Sequence, residues 1–341
     1  MELLTVSRMR AHHECKRKEY LLYGEGIRPV RDTEALRIGT LVHIGLEAWL
    51  IAMVGDPANS DSWYWAAIDA VKGQAIDDYE QVRVEEMLHG YHFRWCHEPF
   101  DVVATEQQFT APLLNPSTSG KSRTFQSAGK IDGLVRVDGR LHILEHKTTS
   151  DEMADPTSPY WAKLDMDAQV SMYYLGATAL GHEVEGCLYD VVRKPMFRPK
   201  LATPPEKRKF TKAGTLYKGQ REDDELPEEY RARLREEIAK EPERYYQRRP
   251  VHRLDSQLLE FMHDAWVTGN SIRELHNAAR DSGFQAVPRN SDACHRWGSP
   301  CPFWDCCSAG LDPDEHPDRF QRIANKHPEL DPEPATEGDS K

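Results

Sequence analysis

Two carboxylates and one lysine in the middle of the chain stand at spacings suited to holding a metal ion. Residues 127–149 read Ser-Ala-Gly-Lys-Ile-Asp-Gly-Leu-Val-Arg-Val-Asp-Gly-Arg-Leu-His-Ile-Leu-Glu-His-Lys-Thr-Thr. Asp138-Gly139 is a strong signal for a two-residue hairpin, because both residues tolerate the positive φ of a type I′ turn. With Val137 facing Arg140, counting outward puts Asp132 opposite Glu145, Cβ atoms about 5 Å apart, and Lys147 on the same face. Opposed carboxylates repel, so the pair needs a shared proton or a cation, and hard ions such as Mg2+ or Mn2+ suit its oxygens. Lys147 would then orient or deprotonate an attacking water. The plain alternative is a solvent-facing hairpin in which Glu145 and Lys147 form an ordinary surface pair.

A second cluster is built of thiols. Four of the seven cysteines, Cys294, Cys301, Cys306 and Cys307, fall in a short stretch broken by Gly298, Pro300 and Pro302, which cannot form a regular helix or a central strand. Such a knot usually wraps a metal, and its spacing suits either tetrahedral zinc or an iron-sulfur cluster. Cys15 lies among His12, His13, Lys16, Arg17 and Lys18, surroundings that suit an exposed ligand better than a core thiol. Cys96 and Cys187 read as ordinary small residues of a helix and a strand.

The elements that would carry these groups follow from periodicity. Residues 32–54 have a helical apolar rhythm that includes His43, and residues 62–88 continue as an amphipathic helical region closed by Pro99. Residues 101–112 and 124–148 alternate as strands around a polar loop at 115–123. A helix over 160–180, stopped by Gly181, sets Gln169 and Tyr173 on one face, and residues 184–192 suit a buried strand. Helices over 227–240 and 254–280 complete the pattern. The expected fold class is α/β, a mixed central sheet built on the hairpin and flanked by helices.

Charge distribution narrows the partners. The net charge of -12 weighs against a polyanionic ligand, yet residues 193–221 hold ten Lys or Arg and one acid, with Phe197, Phe210 and Tyr217 interleaved. Lys207, Arg208 and Lys209 are the candidate phosphate contacts there. A solvated loop without a partner is the bland reading of the same segment. The organisation reads as a single domain over residues 1–310, with 193–250 as a charged insertion over the active-site face and 290–308 as a loop closing onto Cys15. Residues 311–341, rich in Asp, Glu and Pro, read as an acidic, disordered tail. No apolar run approaches the roughly 18 to 20 residues of a membrane span and no signal peptide is evident, so a cytoplasmic protein without membrane contact is expected.

These motifs together resemble the PD-(D/E)XK nucleases, and among them the RecB-like exonucleases. Asp132 in Gly-Lys-Ile-Asp-Gly looks like the family's metal-binding Asp, and Glu145-His146-Lys147 looks like its Glu-x-Lys. Residues 39–43 are similar to Gly-x-x-x-His, and Gln169 with Tyr173 matches Gln-x-x-x-Tyr; the four motifs occur in family order. The resemblance implies a metal held by His43, Asp132, Glu145 and the His146 carbonyl, with Lys147, Gln169 and Tyr173 completing the catalytic set. Cys-Pro-Phe-Trp-Asp-Cys-Cys resembles the cluster loop of iron-sulfur members, which implies a [4Fe-4S] cluster on Cys15, Cys294, Cys301 and, by family spacing, Cys307 rather than Cys306. It further implies an exonuclease acting on single-stranded DNA or duplex ends in recombination, repair or phage DNA processing. With no helicase motif, the chain looks like the stand-alone nucleases of phages and of CRISPR spacer acquisition, where a recombination or adaptation protein would be the partner. Two other readings stand beside it: a catalytically silent zinc or iron-sulfur DNA-binding protein, and an enzyme of the same fold that cuts RNA.

Overall fold

In the computed structural model, residues 1–330 are described apart from Pro99 and Ser299. The chain opens with β1 (Glu2–Leu4), α1 (Val6–Glu14), α2 (Lys16–Glu19) and β2 (Ile27–Pro29). Three helices follow, α3 (Glu34–Gly55), α4 (Ser60–Val71) and α5 (Asp78–Trp95), and then the long strands β3 (Asp101–Leu114), β4 (Lys121–Val137) and β5 (Arg140–Thr149). Next come α6 (Pro159–Ala162), α7 (Ala168–Ala179), β6 (Gly186–Arg193), α8 (Pro227–Lys240), α9 (Pro242–Tyr245), β7 (Tyr246–Val251), α10 (Asp255–Ser282), α11 (Trp304–Ser308) and β8 (Phe320–Arg322).

The main sheet has six strands in the order β1-β4-β5-β6-β7, with β3 also on β4. It is mixed: β1 runs parallel to β4 and β5 parallel to β6, while the other pairs are antiparallel. One face packs on α7 and α10 through Phe109, Ile131, Ile143, Val170, Tyr173 and Ile272. The other packs on α3, α4 and α5 through Val135, Leu144, Leu188, Trp49, Trp63 and Tyr91. The fold is therefore the expected α/β class, with a mixed sheet covered by helices from both sides of the hairpin in sequence.

The hairpin has the expected register. Val137 faces Arg140, and Asp138 and Gly139 take φ values of 50° and 77°, as a type I′ turn requires. The ladder then stops one step short of the reading from sequence: its last pair is Gly133 with Leu144. β3 covers one edge of β4 from Lys121 to Arg136, so β1, at Phe125 to Ser127, and β5, from Gly133 on, share the other edge. Between them, residues 128–132 have no strand on that side, and β5 continues beside β6 alone. The sheet forks there.

Several expectations change in detail. The helix expected over 160–180 is interrupted because Asp167 caps a new one, its carboxylate accepting from the amides of Gln169 and Val170. The region 62–88 divides into α4 and α5 around Gly73, whose φ of 72° ends the first helix. The closing role assigned to Pro99 falls outside the described residues, and α5 ends at Trp95. β1, α1 and the pair β2–β8 were too short or too polar to be read from periodicity.

Three larger readings are corrected. Residues 193–250 are not one insertion over the site, because β7 extends the main sheet antiparallel to β6 and α8 packs on α5 through Tyr230, Leu234 and Val82. Residues 311–330 are not a solvated tail. Phe320 is buried, stacks on Phe303 at 5.7 Å, and lies in β8 paired with β2; a few well-placed apolar residues outweigh the acidic composition around them. The rest of the expected tail, 331–341, lies outside the described residues. Finally, α3 is long and apolar enough by length and composition to cross a membrane. Its apolar residues Ile38, Leu41, Leu46, Trp49 and Leu50 instead pack in the core beside the sheet.

Candidate active site

The fork opens into a cleft of about 450 Å3 lined by His43, Asp132, Glu145, Lys147, Gln169 and Tyr173. Four elements, α3, the hairpin strands β4 and β5, and α7, thus bring together the residues named from the sequence. Asp132 spans the fork, accepting the His146 backbone N–H at 2.7 Å on Oδ2. That contact stands in for the missing rung of the ladder.

Glu145 is 1% exposed. Its Oε1 accepts from Gln169 Nε2 at 3.0 Å and pairs with Lys147 Nζ, whereas its Oε2 is buried without a hydrogen-bond partner. Burial first, and the charge of Asp132 second, push its carboxyl up to about 8, while Glu145 and Asp132 hold the Lys147 ammonium above its usual value against the effect of burial. His43 has the opposite bias: burial and the ammonium groups of Lys147, Lys130 and Lys194 lower it to about 3, so it stands neutral with a free lone pair. Its Nδ1 lies 4.0 Å from Asp132 Oδ2.

The backbone explains why these groups can meet. A Cβ on Gly39 would come within 3.1 Å of Thr148 Oγ1, so glycine lets α3 pass close to the end of β5 and turn His43 toward the fork. At Gly129 and Gly176, a Cβ would strike the Phe109 ring at 2.7 Å and 2.4 Å, so both glycines let α7 settle on the sheet. On α7, Gln169 Nε2 also donates to Tyr173 Oη at 2.7 Å. Arg10 on α1 fixes that amide from outside, donating to Gln169 Oε1 at 3.4 Å and to Asp167 Oδ2 at 2.9 Å.

Sequence reasoning missed part of the lining. Glu47 lies one turn beyond His43 on α3, a spacing that could have flagged it. Glu106, held at a positive φ of 49° on β3, pairs with Lys130, and burial pushes its carboxyl up to about 7. Only the tertiary fold brings Glu106 to the cleft. By contrast, Lys207, Arg208 and Lys209 do not line it; Arg208 is tied to the carbonyls of Thr203 and Glu222 at 2.8 Å and 2.7 Å. Lys194 is the one residue of 193–250 among the described lining residues. The His146 ring points away from the cleft, its Nδ1 3.6 Å from Asp190 Oδ2, so only its backbone faces Asp132.

Among the described residues, no three His, Cys, Asp or Glu side chains converge closely enough to hold a metal ion. The cleft nevertheless suits a divalent ion chemically, offering the orphaned Glu145 Oε2, the carboxylate of Asp132 and a neutral imidazole. The thiols form a separate small cavity. Cys15, Cys294, Cys301 and Cys307 line it together, while Cys306 is buried with Leu21, Ile27 and Phe320. The Asn290 amide donates to Cys15 Sγ at 3.4 Å, and Cys301 N–H donates to the Cys294 carbonyl at 2.7 Å. Lys18 and Arg289 line the same cavity, and Arg17 Nη1 is 4.0 Å from Cys307 Sγ, so cations surround any thiolate charge.

A forked mixed sheet that sets an acidic pair and a lysine in one cleft is the arrangement of a nuclease. The family model of the PD-(D/E)XK nuclease superfamily matches residues 3–308, and the chain belongs to that superfamily. Its class is therefore nuclease and hydrolase, acting on nucleic acid, and members typically use Mg2+ or Mn2+. No curated protein matches the chain.

Proposed function

We propose that the protein is a metal-dependent deoxyribonuclease that hydrolyses phosphodiester bonds at single-stranded DNA or duplex ends, as an exonuclease of the RecB-like type. The observation that carries this reading is the joint placement of Asp132, Glu145 and Lys147 at the fork, with one Glu145 oxygen buried and unpartnered. His43, Asp132, Glu145 and the His146 carbonyl would hold the ion. A bound divalent ion supplies Lewis acidity toward the scissile phosphate and lowers the pKa of a water.

The chain's own groups do the rest. Gln169 fixes Glu145 Oε1 and leaves Oε2 as the unpartnered oxygen; Tyr173 holds the Gln169 amide. Lys147 Nζ, paired with Glu145, positions the attacking water and offsets charge developing on the phosphate. Neutral His43 offers a lone pair without competing charge. Lys207, Arg208 and Lys209 would contact DNA outside the cleft, and Phe210 and Tyr217, both exposed, offer stacking faces. In this reading a [4Fe-4S] cluster on Cys15, Cys294, Cys301 and Cys307 closes the ends of the domain. The common lining of one cavity by these four, with Cys306 turned into the core, supports that set.

The deciding experiment is anaerobic purification followed by incubation with 5′- or 3′-labelled single- and double-stranded DNA in Mg2+ or Mn2+, wild type beside Glu145→Ala. Cleavage by the wild type that is lost in an equally folded variant is expected, and the label released first gives the polarity. Absence of cleavage by a fully loaded wild type would overturn the reading.

A further inference from the structure

Buried cations in this protein come with their counter-ions, with one exception. Among the described residues, three Lys or Arg residues are buried: Arg8, Arg83 and Lys194. Arg8 Nε donates to Glu19 Oε1 at 2.8 Å, and Arg83 Nη1 donates to Glu34 Oε1 at 2.7 Å. Arg248, almost as deep, donates to Asp190 Oδ2 at 2.9 Å. Lys194 Nζ instead donates to a neutral oxygen, the Ala35 carbonyl, at 2.8 Å, and forms no ion pair among the described residues. Burial, and then the positive charge of Arg83, lower its pKa from the ordinary lysine value. An ammonium withdrawn from water without an anion is costly.

The fold does not relieve that cost but holds the group in place. Lys194 follows directly on β6, where its backbone N–H donates to the Thr149 carbonyl at 2.7 Å, while its Nζ is tied to the first turn of α3. The side chain, fixed at both ends, lines the cleft with Gly39, His43, Lys147 and Thr148. A Cβ on Gly39 would lie 3.8 Å from Lys194 Nζ, so the ammonium stands near Gly39, one turn of α3 before His43 and about 6 Å along the helix axis. That offset separates it from the metal-binding end of the cleft. We propose that the missing counter-ion of Lys194 is a phosphate of the substrate strand, a phosphodiester adjacent to the scissile one. The proposal deepens the reading of the cleft as a nuclease site and rests on it. Its consequence is that Lys194 sets where along the strand the cut falls.

The test pairs a protein variant with a substrate variant. Wild type and Lys194→Met are each titrated, in Ca2+ and by anisotropy, against a short fluorescein-labelled oligothymidylate and against the same strand carrying one neutral methylphosphonate at successive positions. Lys194→Met should bind the unmodified strand about tenfold more weakly at low salt, and its slope of log affinity against log salt should be smaller by about one. One methylphosphonate position should weaken the wild type by a similar factor and leave Lys194→Met unaffected. Without metal, Lys194→Met should melt no lower than the wild type, because losing an unpaired buried charge offsets losing the bond to Ala35. A lower melting temperature with unchanged affinity would make Lys194 a mere tie between β6 and α3 and overturn the proposal. If the variant does not fold, the wild type decides: two adjacent methylphosphonate positions should weaken binding, one at the metal and one at Lys194, and sensitivity at a single position overturns it. If the wild type cuts DNA but the two changes act additively, the role of Lys194 alone fails; if neither protein binds or cuts DNA, the nuclease reading falls with it.

Discussion

The cleft and the thiol cavity both gather scattered reactive side chains, but they leave different things unfinished. In the cleft the two carboxylates are one hairpin apart, and the protein tolerates a buried oxygen with no partner, Glu145 Oε2. Around the cavity the partners come from opposite ends of the chain, 275 positions apart for Asn290 and Cys15, and ordinary hydrogen bonds already join them. Arg17 alone donates from Nε to the Val287 carbonyl at 2.9 Å and from Nη2 to that of Gln285 at 3.0 Å. An unsatisfied polar group at an otherwise well-packed site marks chemistry, whereas a long-range closure marks stability. Damage in the first should therefore appear in turnover, and damage in the second in folding.

The largest effect expected is that of Glu145→Ala on hydrolysis, a loss of about a thousandfold or more with the melting temperature unchanged or raised, since a buried acid is removed. A variant that loses stability and activity in parallel would erase the contrast. Next comes Cys301→Ala, expected to cost about 3 kcal/mol and roughly 5 °C in melting temperature while the folded fraction still cuts DNA. A folded but inactive protein would put the cavity in the reaction.

The pH dependence sharpens the same comparison. The Glu145 carboxyl is raised to about 8, so in EDTA the folded state holds a proton that the unfolded state releases near its ordinary value of 4.5. Stability of the metal-free protein should fall as pH rises from about 4.5 to about 8. Mg2+ should restore part of it, and Glu145→Gln should flatten the profile; a flat wild-type profile in calorimetry would contradict this account. Smaller again is Gly39→Ala, whose Cβ would sit 3.1 Å from Thr148 Oγ1. It should cost about 1 kcal/mol and lower activity several-fold by displacing His43. Least of all, reversing charge at Lys207, Arg208 and Lys209 should weaken DNA affinity and flatten its salt dependence without touching turnover at saturation.

How much of this was legible depends on how local the determinants are. The hairpin register could be counted from Asp138-Gly139 because a two-residue turn leaves no freedom of alignment, and Asp132, Glu145 and Lys147 followed. The fork could not, since the end of the ladder depends on β1 arriving on the same edge of β4 and on Asp132 taking the His146 N–H. Glu106 was missed for a similar reason: it belongs to a segment whose pattern reads as plain strand, and only packing turns it toward the cleft, while in the basic segment the emphasis fell on Lys207, Arg208 and Lys209 and not on Lys194, which lines the cleft. Composition misled at residues 311–330, where acidic residues outnumber the two apolar side chains that matter, Leu311 and Phe320. It also overstated residues 193–250 as a unit, because β7 is short and basic yet completes the sheet.

The fork has one more implication. β4 belongs to two half-sheets at once, one with β1 and the other with β5, β6 and β7, while β3 braces it from behind along nearly all of its 17 residues. The width of the opening is thus governed by the coil of a single strand that is clamped on its far edge. Such a gap is less a hinged jaw than a slot cut in a stiff plate, since widening it means loosening β4 from β3.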